Sequence, residues 1–107
     1  CYITDALIGF FKVLLSREDS CVYNIGTDRY ETDLLDLAKA VVRLSKTHAQ
    51  ITKIPYPKEY PADEPTRRCP DIRKMKRDLG YIPQIDLEAG LMRMIAWYTE
   101  TYGPRDP

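Results

Sequence analysis

The chain has 107 residues, and its 16 lysines and arginines balance 16 aspartates and glutamates. A formal net charge of zero argues against a main function in binding nucleic acid or an anionic membrane surface. Hydrophobic residues at 44% and charged residues at 30% exclude a disordered chain, and the length excludes a complete two-domain enzyme.

The sequence predicts neither a metal site nor a membrane segment. Its cysteines, Cys1, Cys21 and Cys69, are odd in number and widely spaced, and the single histidine, His48, does not complete a zinc ligand set. No apolar run approaches the roughly 20 residues that span a bilayer, and no signal-peptide pattern is present. We predict reduced thiols and a cytoplasmic location, and we interpret the sequence, which opens on a cysteine, as an excerpt from a longer protein.

The first predicted elements are a helix and a strand. Thr4 and Asp5 are predicted to cap a helix whose apolar positions continue to Leu15, in a stripe broad enough to be buried on more than one side. Residues 21–25 are rich in β-formers and are followed by Gly26, which predicts a short buried strand.

The middle of the chain predicts a helix, a strand and a loop. Thr32 is predicted to cap a second helix with a 3.6-residue apolar period through Leu44. Residues 50–55 alternate polar and apolar side chains and predict a second strand. Residues 55–70, the Pro-rich loop, carry prolines at 55, 57, 61, 65 and 70 and are predicted to be extended and semi-rigid.

Two helices complete the predicted fold. Asp71 is predicted to start the third, which Gly80 ends, and Asp86 to cap the fourth, which ends before Gly103. The sum is an α/β fold: a small unit of about four helices and two or three short strands.

Phosphate binding is the only chemistry that the residues themselves suggest. Arg67 and Arg68 adjoin the start of the third helix, where two guanidinium groups held by neighbouring prolines are suited to bind phosphate oxygens. The alternative from the residues alone is that both arginines pair with Asp63 and Glu64 on the surface. No glycine-rich phosphate loop or Ser/His/Asp arrangement is present, so no catalytic residue is predicted.

Other notable side chains have structural explanations. Glu31 and Glu88 are predicted to lie in the first turns of helices, where a negative charge complements the helix dipole. His48 is predicted to lie on the surface, and the three methionines are predicted to fill the core.

Several short motifs follow one another along most of the chain. The first residues are C-Y-I-T-D, and Y-N-I-G, D-E-P-T-R-R-C-P-D-I and L-G-Y-I-P occupy residues 23–26, 63–72 and 79–83. Together with residues 31–38, 87–91 and 95–98, these motifs resemble those of the extended short-chain dehydrogenases/reductases that act on nucleotide sugars. The corresponding family segments are the end of R-x-F-x-Y-V-x-D, a Y/F-N-I-G strand, the signature D-D-P-x-R-R-x-P-D-I of the UDP-glucuronate decarboxylase branch, and the turn L-G-W-x-P.

This resemblance implies that residues 1–107 are the C-terminal, substrate-binding lobe of an NAD-dependent nucleotide-sugar epimerase, dehydratase or decarboxylase. The Rossmann domain, which would bind NAD and supply the Y-x-x-x-K catalytic pair, is missing from this chain, so the lobe alone is not expected to be catalytically competent. It implies that Arg68 contacts the diphosphate of a nucleoside diphosphate-sugar and that Arg67 is a second donor. The Pro-rich loop would shape the wall near the substrate.

A second hypothesis makes the chain a stand-alone protein-interaction module. The Pro-rich loop, with Tyr56 and Tyr60, would then be an extended recognition segment. The first helix would be exposed and would seek a partner. If the chain is instead the lobe of a larger enzyme, this helix is expected to pack against the missing Rossmann domain, so that Phe10 and Phe11 are bare in its absence and self-association through them is expected.

Overall fold

The structure is a computed structural model that describes residues 1–17, 20–29, 31–57, 63, 65 and 67–103. Its regular elements, within those residues, are four α-helices. They are α1 (Ile3–Leu14), α2 (Leu34–Ser45), α3 (Arg73–Leu79) and α4 (Leu87–Tyr102). No described helix has the length and apolar character that crossing a membrane requires.

The predicted α/β fold is wrong, because the described residues form no strand. A strand needs a neighbour with which to exchange backbone hydrogen bonds, and none is present in this part of the chain. Residues 21–25 instead contact α3 and the residues before it: Asn24 Nδ2 donates to the Asp71 carbonyl at 3.1 Å, and Lys74 Nζ to the Val22 carbonyl at 3.0 Å.

The second predicted strand, residues 50–55, also lacks a sheet to join. Its two isoleucines remain exposed, Ile51 by 42% and Ile54 by 82%. Alternation of polar and apolar residues identifies a strand only when one face is buried, and neither isoleucine is buried here.

The helix ends follow the sequence closely where a cap residue is local. Asp86 accepts a hydrogen bond from the Ala89 amide at 2.7 Å, as predicted, and Gly80 ends α3 with a φ of 59°. The cap of α2 is Asp33, one residue beyond the predicted Thr32. Asp5 does not cap α1, which begins after Tyr2 without a side-chain cap.

The core is small. Ile72, Met75 and Tyr81 are fully buried and form the core cluster, against which Val13, Tyr23, Ile25 and Leu79 pack. The methionines were predicted to fill the core together, but Met92 and Met94 on α4 are about half exposed. Elsewhere in the described residues, α2 packs against α4.

Helix α1 approaches the core cluster through a glycine. A Cβ added at Gly9 would lie 2.7 Å from Ile25 Cγ2 and 3.2 Å from Cε2 of Tyr81, so this contact needs a residue without a side chain. At the end of the helix, Lys12 Nζ donates to the Leu79 carbonyl at 2.9 Å. One side of α1 is therefore fixed to the core.

The opposite side of α1 is uncovered. The accessible surface of the chain is 9297 Å², whereas a compact protein of this mass exposes about 6,100 Å². Its radius of gyration is 17.5 Å, against roughly 13 Å for a compact domain of this length. Many large apolar side chains are exposed, and those of α1 that are more than half exposed are Ile3, Phe10, Phe11 and Leu14.

Candidate functional site

The described residues form an open cleft of about 1000 Å³. It lies between the start of α1, the segments that lead into α2 and α3, and the first turns of α4. The charged side chains that line it are Arg29, Arg68, Arg93, Glu31 and Asp86. Three guanidinium groups against two carboxylates make the described part of this cleft a favourable place for an anion.

One wall of the cleft is held by contacts at alternate residues. Val22 and Asn24 are hydrogen-bonded to Lys74 and Asp71. Two residues further along, the Tyr81 hydroxyl donates to the Gly26 carbonyl at 3.1 Å, and Asp28 forms an ion pair with Lys76 at 2.7 Å. Burial raises the pKa of Tyr81, and the nearby Asp5 adds to the shift. The segment that was predicted to be a strand from its β-rich composition is therefore attached to α3 and to Tyr81.

A close backbone contact brings this wall to the arginine pair. A Cβ at Gly26 would lie 2.7 Å from Cγ of Pro70, so the two segments touch at this position. Pro70, Cys69 and Arg68 continue along the same wall of the cleft. The contact therefore fixes where the backbone presents Arg68.

The two predicted site residues have different surroundings. Arg68 lines the cleft, as a phosphate-binding role requires. Arg67 donates two hydrogen bonds to one carboxylate, from Nε to Oε1 of Glu31 at 2.7 Å and from Nη2 to Oε2 at 2.8 Å. These bonds lower the pKa of the Glu31 carboxyl and raise the pKa of the Arg67 guanidinium.

Arg67 forms an ion pair on the surface, but not with the predicted partner. The carboxylate that it contacts is Glu31, not Asp63, and Glu64 lies outside the described residues. Glu31 also precedes the first turn of α2, so the dipole explanation for it is wrong. Glu88 does lie in the first turn of α4, and it forms an ion pair with Arg43 of α2.

Two cleft residues were missed by the sequence analysis. The Arg93 guanidinium lies over the ring of Tyr2, 5.5 Å from its centroid, which places a cation from α4 beside the start of α1. Arg29 also lines the cleft. Neither belongs to a motif, and only their shared position on the cleft identifies them.

The Pro-rich loop is described only in part. Residues 58–62, 64 and 66 lie outside the described residues, so the role predicted for Tyr60 is not addressed. Tyr56 is 71% exposed. His48 is exposed beyond the end of α2, as predicted. Among the described residues, no three His, Cys, Asp or Glu side chains come together as a metal site, and the cysteines are free.

A buried carboxylate joins α1 to the segment that forms the floor of the cleft. Asp5 is 2% exposed, and its Oδ2 accepts a hydrogen bond from the Ile85 amide at 2.9 Å. Pro83, Gln84 and Ile85 line the cleft, so this bond positions one of its sides.

Replacing Asp5 with alanine is expected to lower the free energy of unfolding by about 1–3 kcal/mol, because the partly buried Ile85 amide loses its acceptor. Asp5→Asn retains a side-chain oxygen at the same place and is expected to lose less. Chemical denaturation of both variants measures the difference. Equal and negligible losses would show that the bond does not hold the segment.

Comparisons with known proteins give a consistent set of relatives. The chain is 31% identical over 103 residues to the dTDP-D-glucose 4,6-dehydratase of Bos taurus, covering 94% of this chain and 29% of that protein. It is 33% identical over 98 residues to UDP-glucuronic acid decarboxylase 1 of Danio rerio, covering 92% and 22%. It is 27% identical over 101 residues to a UDP-N-acetyl-alpha-D-glucosaminuronate decarboxylase of Bacillus cytotoxicus, covering 92% and 31%.

The chain thus spans between about a fifth and a third of the length of these relatives. No family model matches the sequence, and no solved structure matches it.

Proposed function

We propose that this chain, which is homologous to nucleotide-sugar dehydratases and decarboxylases of the extended short-chain dehydrogenase/reductase family, forms the substrate-binding lobe of such an enzyme. The family resemblance that the motifs indicated is confirmed by these relatives. The proposed ligand is a nucleoside diphosphate-sugar, and the proposed domain is residues 1–107, with the Pro-rich loop at its substrate side.

The observation that carries the proposal is the position of Arg68 on a cleft with two further arginines. A diphosphate carries charge on several oxygens, and guanidinium groups match such oxygens with paired hydrogen bonds. Arg29 and Arg93 line the same cleft, so cations face it from three different segments of the chain. A volume of about 1000 Å³ is at the upper end of ordinary ligand sites.

In this proposal Arg68 is the main anchor of the diphosphate and Arg67 is a second donor. The lobe contributes binding and orientation, with no catalytic residue of its own. NAD is proposed for the longer enzyme only, because this sequence has no glycine-rich turn that fits a dinucleotide. Its binding would belong to a Rossmann domain outside this chain.

The proposal is tested by comparing ligands that contain a diphosphate with one that lacks it. Isothermal titration of the chain with UDP, inorganic pyrophosphate and uridine is expected to give binding of the first two, and at least about tenfold weaker binding of uridine, because the arginines recognise the phosphates. Lysozyme titrated in the same buffer controls for unspecific attraction of anions. Uridine binding as tight as UDP binding would contradict the proposed site.

A second candidate function, the protein-interaction module, is favoured by the exposed side of α1. Phe10 is 62% exposed and Phe11 58%, and such a surface is typical of a contact with another protein surface, including a second copy. The reading frame separates the two candidates. An upstream frame that encodes a glycine-rich turn and Y-x-x-x-K supports the enzyme, whereas a frame without them supports the module.

A further inference from the structure

The contact between Glu31 and Arg67 has the geometry of a bound anion. Both oxygens of the Glu31 carboxylate accept hydrogen bonds from one edge of the Arg67 guanidinium, at 2.7 and 2.8 Å. A phosphate group binds arginine through the same parallel pair of bonds. The carboxylate therefore occupies the donors that a phosphate of the ligand would use.

The position of Glu31 places this contact at the cleft. Glu31 lines the cleft, two residues along the chain from Arg29, and Arg68 lines the same cleft. Arg67 is the immediate chain neighbour of Arg68 and is engaged by the Glu31 carboxylate. An anion that binds Arg68 thus arrives next to a guanidinium that already holds an internal carboxylate.

The contact is also weak enough to exchange. The side chains of Arg67 and Glu31 are 70% and 47% exposed. Solvent screens an ion pair at such positions, and neither group has the burial that would make its separation costly. Each of the two phosphoryl groups of a nucleoside diphosphate-sugar carries one negative charge, so the diphosphate as a whole carries more charge than the carboxylate and competes for the same donors.

We propose that Glu31 is a built-in competitor of the substrate diphosphate: when no ligand is bound, its carboxylate holds Arg67 beside the cleft, and the ligand must displace that carboxylate before Arg67 becomes a second phosphate donor. This inference rests on the proposed function and adds the residue that regulates ligand affinity at that site. It assigns Glu31 an effect on affinity that opposes binding, whereas a carboxylate that only supports the cleft wall would favour binding.

A double-mutant cycle with Glu31→Gln and Arg67→Gln tests the proposal, with inorganic pyrophosphate and UDP as the probes. Glu31→Gln is expected to tighten binding about two- to fivefold, which corresponds to the usual strength of an exposed ion pair. The gain should disappear when Arg67 is also replaced, because the released donor no longer exists. Glu88→Gln, which removes an equally exposed carboxylate paired with Arg43, serves as the matched control and should leave binding unchanged.

The cycle distinguishes this proposal from its alternatives. The same gain with and without Arg67 would mean that Glu31 merely repels the ligand, and a weaker affinity of Glu31→Gln would mean that the pair supports the wall. Either result overturns the competitor role while leaving the proposed function standing. Binding of neither probe to any variant would overturn the proposed function and this proposal with it. Circular dichroism of each variant verifies that the helices are retained.

Discussion

Replacing Met75 with alanine is expected to lower the free energy of unfolding by about 2–5 kcal/mol. Met75 is fully buried and is one of the three residues of the core cluster. The lost side chain removes apolar contacts and leaves a cavity that its neighbours do not fill completely. The core cluster is small for a chain of this length, so the fraction of unfolded protein should rise sharply.

Two further variants make this prediction specific. Met92→Ala removes the same side chain from a site on α4 that is 53% exposed, and it is expected to change stability by less than about 1 kcal/mol. Met75→Leu conserves most of the volume and should cost less than about 1.5 kcal/mol. Urea denaturation followed by circular dichroism measures all three. If Met75→Ala and Met92→Ala lowered the free energy of unfolding by similar amounts, burial in the core cluster would not be what stabilises the fold.

In Arg68→Ala, binding of UDP is expected to weaken by about 10- to 100-fold. Hydrogen bonds between charged groups contribute about 1.5–3 kcal/mol each, and Arg68 is proposed to supply the main ones to the diphosphate. Because the arginine is exposed, its replacement should leave the folded structure intact. Isothermal titration with UDP measures the loss, and thermal unfolding measures the stability.

The controls for this prediction separate charge from geometry. Arg17→Ala removes an exposed arginine outside the cleft and should leave UDP affinity within about twofold, since a distant surface charge is largely screened. Arg68→Lys keeps the charge but not the planar pair of donors, so an intermediate affinity is expected. If Arg17→Ala weakened binding as strongly as Arg68→Ala, the effect would be one of net charge rather than of a defined site.

Helix positions were predictable because their signals are local. The predicted cap Asp86 accepts a hydrogen bond from the amide three residues ahead, and the predicted end of α3, Gly80, adopts the left-handed conformation. The cap of α2 is Asp33, one residue after the predicted Thr32. The cap of α1 was predicted wrongly, because the side chain predicted to cap the helix bonds to a distant part of the chain instead. Asp5 carries a cap-like side chain but accepts its hydrogen bond from Ile85, 80 residues away.

The absence of strands from the described residues was not predictable, because strand formation depends on a neighbouring segment and not on local sequence alone. Residues 21–25 have the composition of one, and their alternate residues do make regular contacts. Those contacts go to side chains and carbonyls around α3 rather than to a backbone ladder. Whether an extended segment joins a sheet depends on a neighbour that composition does not encode.

The sequence by itself determined the four helices, the similarity to nucleotide-sugar dehydratases and decarboxylases, and the adjacency of Arg67 and Arg68 before α3. The tertiary structure alone decided which of these residues reach a common cleft and what each one contacts. It brought Glu31 to Arg67 across 36 residues, and it placed Arg29 and Arg93 on the same cleft as Arg68. Local signals act within one helical turn, whereas a site for a diphosphate is assembled from side chains that only folding brings together.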